Sequence, residues 1–296
     1  MLHRPHQIIT GSVLVADDQS SNRELLTELL EAQGHTVIAV PGGAAALAEL
    51  AQTPIDLVLL DVMMPRMNGF EACERIKANP DTYLVPVILI TALSDKQDRL
   101  EGIKAGADDF LTRPVDRTEL LARVRSLLKL KQRTDELERA ESVLFTLARS
   151  IEGKDPYTHG HCERLSEYSV RLGEYLWVFG DQTIALRRAG VVHVVGKIDV
   201  ADAILLKPGS LTPYEWKLIK GASGRGERIC APLKPFRFVL PIIRHHHEKF
   251  DGSGYPDGLR GDAIPVTAGV LKCIWNHPNT ASANPEKLNR SARNVT

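Results

Sequence analysis

The sequence has little with which to cross-link itself, enter a membrane or hold a polyanion. Its four cysteines, Cys73, Cys162, Cys230 and Cys273, are scattered and include no Cys-x-x-Cys pair. That argues against a disulfide framework or a thiolate zinc site and predicts buried, small apolar side chains. Neither charge sign is in excess: Lys+Arg and Asp+Glu number 37 each, for a formal net charge of +0. With no basic block, general affinity for nucleic acid or membrane is not expected. No apolar run approaches the roughly 18 residues of a membrane span, and residues 1–12 lack the apolar core and small-residue cleavage site of a signal peptide. The expectation is a cytoplasmic protein.

What is present is a soluble, globular composition, with 43% hydrophobic and 25% charged residues over 296 positions. That length suits two domains, each able to bury a core. The ten histidines are uneven. His3, His6 and His35 come early, whereas His159, His161, His193, His245, His246, His247 and His277 lie in the second half. Imidazole chemistry, if any, belongs there.

From residue 13 to about 125, short apolar runs (13–16, 36–40, 56–60, 85–90 and 109–111) alternate with stretches of helical spacing such as 22–33 and 69–77. Strands alternating with helices predict an α/β domain, a five-stranded doubly wound parallel sheet covered on both faces. Functional residues in such sheets gather outside the carboxyl ends of the strands. Asp17 and Asp18 end the first strand and Asp61 the third, so three carboxylates converge on one rim. Oxygen ligands of this kind suit Mg2+, which would shield a phosphoryl group arriving on Asp61. Thr91, at the fourth strand's end, offers a hydroxyl to phosphoryl oxygens, and Arg113, after the fifth, a cation. Each acid alone could be a turn or cap residue; the combination argues for a site.

The stretch 12–128 resembles the receiver domain of two-component response regulators. Val-Ala-Asp-Asp (15–18), Leu-Leu-Asp-Val-Met-Met-Pro (59–65), Asn68-Gly69, Ile90-Thr91-Ala92 and Gly-Ala-Asp-Asp-Phe-Leu-Thr-Arg-Pro (106–114) carry the match. The resemblance implies a flavodoxin-like fold and phosphorylation of Asp61 by a sensor histidine kinase. Asp18, Asp61 and the Met63 carbonyl would bind Mg2+ with help from Asp17, and Thr91 and Phe110 would form a switch pair. The family usually has Lys where this chain has Arg113, so a planar fork replaces a compact ammonium.

Residues 129–146 contain no Gly or Pro and read as a linker helix. Leu130, Leu137 and Leu144 recur every seven residues, while Leu127, Thr134 and Glu141 turn polar along the alternate seam. The pattern is compatible with a weak homodimer or a solvated spacer.

Residues 147–275 show helical apolar spacing, with histidines at 158–161, 193 and 245–247. Imidazoles from several helices of a bundle can converge on metal, with carboxylates bridging a second ion. This region resembles the HD-GYP output domain, an all-α domain whose active members are metal-dependent cyclic di-GMP phosphodiesterases. Lys154-Asp-Pro-Tyr-Thr-His-Gly-His161, His193 to Lys197, Asp202 to Pro213, and His246 to Leu259 carry the match. The resemblance makes Gly254-Tyr255-Pro256 a contact surface for diguanylate cyclase (GGDEF) partners.

Departures from the family decide the expected mechanism. Val194 stands where His-Asp would supply a bridging carboxylate, Ala222-Ser223 replaces His-Thr, and Trp275 aligns with the final metal-binding Asp. His161, His193, His246 and His247 remain, as does Lys197. Four neutral imidazoles are expected to hold at most one Zn2+, Fe2+ or Mn2+, since two ions about 4 Å apart without carboxylates repel by several kcal/mol. The expected output is therefore binding with little or no hydrolysis. One alternative is a working phosphodiesterase in which Asp199 or Asp202 moves in as a ligand; another is a phosphoryl sink with a vestigial output half. The polar stretch 276–296 predicts a disordered tail after a truncated domain.

Overall fold

The computed structural model describes residues 9–92, 96–154 and 160–275. Two compact units divide between Glu136 and Leu137.

In the first unit, strands β1 (Ser12–Ala16), β2 (Thr36–Val40), β3 (Leu57–Asp61), β4 (Val87–Thr91) and β5 (Asp109–Thr112) form a parallel sheet in the order β2-β1-β3-β4-β5. Helices α1 (Ser20–Glu31), α2 (Gly43–Leu50), α3 (Gly69–Ala78) and α4 (Lys96–Lys104) connect them. Side-chain alternation builds two cores. Leu14, Val58, Leu60, Val87 and Leu89 face one layer, and Val13, Leu57, Leu59, Ile88 and Ile90 the other. Every residue of β3 and β4 is buried, which is why those strands read as continuous apolar runs rather than as alternation. The strands of the sequence reading are all present; β3 and β4 extend one residue further, to Asp61 and Thr91.

Helix α5 runs unbroken from Arg117 to Glu152, so the stretch read as a separate linker is the middle of one long helix. Its leucines are not equivalent. Leu130 and Leu137 are exposed, but Leu144 is buried in the core of the second unit beside Ala148 and Ile151. The proposed seven-residue seam therefore loses its third leucine to intramolecular packing.

The second unit is helical, as expected: α6 (His161–Tyr175), α7 (Asp181–Val192), α8 (Asp202–Leu205), α9 (Pro213–Lys220), α10 (Ala222–Cys230), α11 (Leu240–His245) and α12 (Val266–Trp275). Its core joins Leu165, Leu186, Ile242, Ile243 and Leu271 to the end of α5. After α7 the chain makes a 3-10 turn, Val195–Asp199, laid directly on α10. A Cβ at Gly196 would lie 1.9 Å from the Ala222 carbonyl oxygen, so only glycine permits the approach that sets Lys197 in place. Cys73, Cys162 and Cys230 are buried as predicted; Cys273 is exposed, because α12 turns that side outward. The tail 276–296 and residues 155–159 of the first histidine motif lie outside the described residues.

Candidate functional site

Two clusters of polar side chains stand out, one in each unit. The first lies at the carboxyl edge of the sheet. Asp17 and Asp61 are nearly inaccessible, Thr91 is buried at the end of the adjoining strand, and Asp18 is exposed. Asp17 Oδ1 accepts from the Gln19 amide at 2.8 Å and from Asn22 Nδ2 at 3.1 Å, which holds it at the start of α1. Asp61 is held from below by Gly69, where a Cβ would come within 2.4 Å of the Asp61 carbonyl oxygen. Asn68 caps α3 by accepting from the Glu71 amide at 2.8 Å. Carboxylate oxygens of Asp17, Asp18 and Asp61 all lie within 4.8 Å of one another. That oxygen-only set fits a hard divalent cation. Burial raises the Asp61 carboxyl above its ordinary pKa, even though hydrogen bonds and charge from Arg113 act the other way.

Arg113 reaches across this rim. Its Nη2 donates to Asp17 Oδ2 and to Asp61 Oδ1, the latter at 2.7 Å, and its Nε adds a longer bond to Asp61 Oδ1 at 3.2 Å. Phe110 is half-buried and packs against the β3–β4 core layer, and Met63 is exposed beside the site.

The second cluster brings together His161 on α6, His193 at the end of α7, and His246 and His247 at the end of α11. Ring centroids lie 5.6 Å apart for His161–His193 and for His193–His246, and 4.0 Å for His246–His247. His193 Nδ1 lies 2.9 Å from the Gly190 carbonyl and His246 Nδ1 2.7 Å from that of Ile243. Donation of Nδ1–H to a carbonyl leaves Nε2 with a lone pair, the tautomer of a ligand imidazole. Burial depresses the pKa values of His193 and His247 well below the ordinary value and that of His246 to about 4, so all three are neutral.

An indole packs against all four rings. Trp275 lies 4.9, 5.2, 6.3 and 5.5 Å, centroid to centroid, from His161, His193, His246 and His247. Lys197 Nζ sits 5.3 Å over the same ring, a cation–π arrangement. Beside them is a cavity of about 30 Å³ lined by Ile151, Glu152, His161, Val194, Lys197, Leu205 and Trp275. It has room for a water or two.

A receiver-domain model from the response regulators matches residues 13–125, and an HD-domain model matches residues 146–293. A probable cyclic di-GMP phosphodiesterase of Vibrio cholerae is 35% identical over 88% of this chain and 67% of its own length. The cyclic di-GMP phosphodiesterase response regulator RpfG of Xanthomonas campestris is 33% identical over 93% of this chain and 79% of its own. A cyclic di-GMP phosphodiesterase of Thermotoga maritima is 31% identical, over 93% and 82%. The chain belongs to the response regulators that join a receiver domain to an HD domain.

In this response regulator the helical site departs from what a two-metal hydrolase needs. Val194 is buried and apolar, and Ser223 is buried with its hydroxyl lacking a hydrogen-bond partner. Among the described residues, ligand atoms converge within 4.8 Å in two groups, Asp17–Asp18–Asp61 and His245–Glu248–Asp257. The four histidines are not among these groups, and the Trp275 ring packs against all four imidazoles. Nor do the substitute carboxylates move in. Asp199 is exposed, 3.7 Å from Arg225, and Asp202 is exposed and paired with Lys154 at 3.0 Å. The residues present do not fit a dinuclear metal centre.

The sequence reading missed Glu152, which is buried on the cavity wall and accepts from the Cys162 amide at 2.8 Å. An acid following buried Ile151, nine residues before His161, was the available signal. It also missed Glu248, whose carboxylate accepts from the amides of Asp257, Gly258 and Leu259 at 2.7 to 3.1 Å. With Arg244 clamping Asp257 through two bonds, these contacts tie down the loop of Gly254-Tyr255-Pro256. Its tyrosine stacks on His247 at 4.7 Å.

Proposed function

We propose that this response regulator is switched by phosphorylation of Asp61 and that its helical half works by binding rather than by hydrolysing cyclic di-GMP. In the phosphorylation step an Asp61 carboxylate oxygen attacks the phosphorus of a phosphohistidine on a sensor kinase. The N–P bond breaks as the acyl phosphate forms, and the kinase imidazole departs. Asp17, Asp18 and Asp61 with the Met63 carbonyl would hold Mg2+, which supplies charge shielding for the transferred group. Thr91 and Arg113 would meet the new oxygens. Receiver family membership and the convergent carboxylates support this half of the reading.

The observation that carries the other half is Trp275 against four imidazoles, with Val194 where a bridging carboxylate would be needed. Two divalent ions there would lack a carboxylate bridging them. The loop carrying Gly254, Tyr255 and Pro256 remains braced and partly exposed, which suits contact with a protein partner such as a diguanylate cyclase. No described helix is long and apolar enough to cross a membrane, in keeping with a cytoplasmic signalling role.

A paired assay on the full chain tests both halves. A small acyl phosphate with Mg2+ is expected to label the wild type and not Asp61→Asn. Cyclic di-GMP incubated with the protein and Mn2+ or Fe2+ is expected to stay intact. Hydrolysis at rates typical of enzymes, about 1 per second or faster, would refute the binding-only output.

A further inference from the structure

Apart from the four imidazoles, ligand-type atoms converge a second time at the end of α11. A nitrogen of His245 and carboxylate oxygens of Glu248 and Asp257 lie within 4.8 Å of one another. His245 Nδ1 stands 3.5 Å from Asp257 Oδ2 and 4.0 Å from Glu248 Oε1. That nitrogen is shielded from solvent and has no hydrogen-bond partner among the described residues, which costs free energy unless something meets it. Both separations exceed the roughly 3.2 Å limit of a normal N–H···O bond, so a proton on Nδ1 leaves the gap unbridged. A metal ion bridges it: two ligand atoms, each about 2.1 Å from a tetrahedral Zn2+, stand about 3.4 Å apart.

The two carboxylates are oriented before any ion arrives. The Glu248 side chain is wholly buried and accepts from the amides of Asp257, Gly258 and Leu259. Arg244 grips Asp257 through Nε and Nη2, at 2.6 and 2.7 Å, and reaches Glu227 through Nη1. A carboxylate offers about four acceptor positions, so these bonds leave one free on Glu248 and two on Asp257. Outer contacts of this kind fix ligand geometry. Charge favours a cation as well. Glu227, Glu248 and Asp257 are answered by Arg244 and by the ammonium of Lys272, which bonds the Glu248 carbonyl, so negative charge remains in excess. Asp257 is one-third exposed, which gives an ion a way in and out.

We propose that His245, Glu248 and Asp257 form an exchangeable site for Zn2+ or a similar borderline dication, separate from the four imidazoles. One imidazole nitrogen with two carboxylate oxygens suits Zn2+ better than Mg2+, which takes oxygen ligands and keeps its waters. Water completes the coordination. His245 ends α11, Glu248 follows three residues later and Asp257 comes directly after Pro256. The ion therefore ties the helix end to the far side of the loop of Gly254-Tyr255-Pro256. Amide bonds and Arg244 already brace that loop, so metal tightens it and is not needed to fold it.

Calorimetric titration of the full chain with Zn2+, in excess Mg2+ to fill oxygen-only sites, tests the assignment. Wild type is compared with His245→Gln, Asp257→Asn and, for the imidazole cluster, His193→Gln. The first two are expected to weaken Zn2+ binding about tenfold or more, and His193→Gln to leave it unchanged. Thermal unfolding gives a second reading: Zn2+ should raise the midpoint of wild type and of His193→Gln, but not of the other two. Using two ligand variants keeps the test decisive if one of them fails to fold. Wild type that binds no Zn2+ at about 100 μM overturns the site. So does binding within about twofold of wild type in either His245→Gln or Asp257→Asn. Loss of binding in folded His193→Gln assigns the ion to the imidazoles and overturns a separate site.

Discussion

Val194 and Trp275 change the chemistry of a pocket whose four imidazoles are intact. An apolar β-branched side chain and an indole supply neither the negative charge nor the volume that a pair of dications demands. Returning both positions to carboxylates tests this. The double variant Val194→Asp, Trp275→Asp is expected to retain Mn2+ through gel filtration, where wild type retains none in the helical unit, and elemental analysis reads the difference. Its thermal midpoint should rise with added Mn2+, because metal binds the folded form only. In the receiver, His35 is buried with Nδ1 lacking a hydrogen-bond partner. Desolvation, then the charge of Arg125, depresses its pKa below 6.5. A depressed pKa favours the neutral form in the folded state, so His35 adds stability above about pH 6.5 that is lost as pH falls toward the folded value. Replacement by Gln should therefore flatten the loss of receiver stability between pH 7.5 and 5.5, as measured by denaturant midpoints.

At the scale of elements, the turn between α6 and α7 has a bulky residue where a glycine is usual. The Val178 amide bonds the Gly173 carbonyl at 2.9 Å and the Trp177 amide that of Glu174 at 3.1 Å, the pair of bonds of a Schellman ending. Trp177 holds φ at 60° and is 84% exposed, so it bears left-handed strain and gains little from burial. Trp177→Gly should stabilise the helical unit by about 1 kcal/mol, seen as a raised thermal midpoint; a lowered one would mean the indole packs in some other state. Nothing along the chain signals this turn, since backbone handedness there depends on how Val178 is drawn into the core. By contrast, β3 and β4 were legible, because two runs of five buried apolar or site residues have no other economical arrangement than a covered parallel sheet. The seven-residue spacing of Leu130, Leu137 and Leu144 was legible too, but its meaning was not. Spacing places residues on one helix face, and only packing shows that Leu144 already has neighbours in its own chain.

At the scale of the whole molecule, two units with separate cores and a single helix running through the boundary carry different dependences on metal. The helical unit has a continuous apolar core against which Trp275 packs, so its fold is expected to hold without an ion. Chelation should leave its thermal unfolding unchanged, as followed by tryptophan fluorescence. Trp177, Trp216 and Trp275 all lie in this unit, which isolates the signal from the receiver. A drop of more than a few degrees on chelation would show that a structural metal is present after all. The HD-domain match through residue 293 covers most of the stretch 276–296 that the sequence reading took as a disordered tail after a truncated domain.

The residues alone determined the order of strands and helices, the carboxylates at the strand ends and the grouping of histidines in the second half. Each of these follows from local periodicity or from chemistry present at a given position. The three-dimensional packing decided the rest: that Arg113 spans Asp17 and Asp61, that Glu152 joins the cavity wall, that Leu144 turns inward, and that an indole packs against the imidazoles. Those facts depend on which distant side chains share one small volume, and volume is a property of the folded chain that no spacing along the sequence can specify.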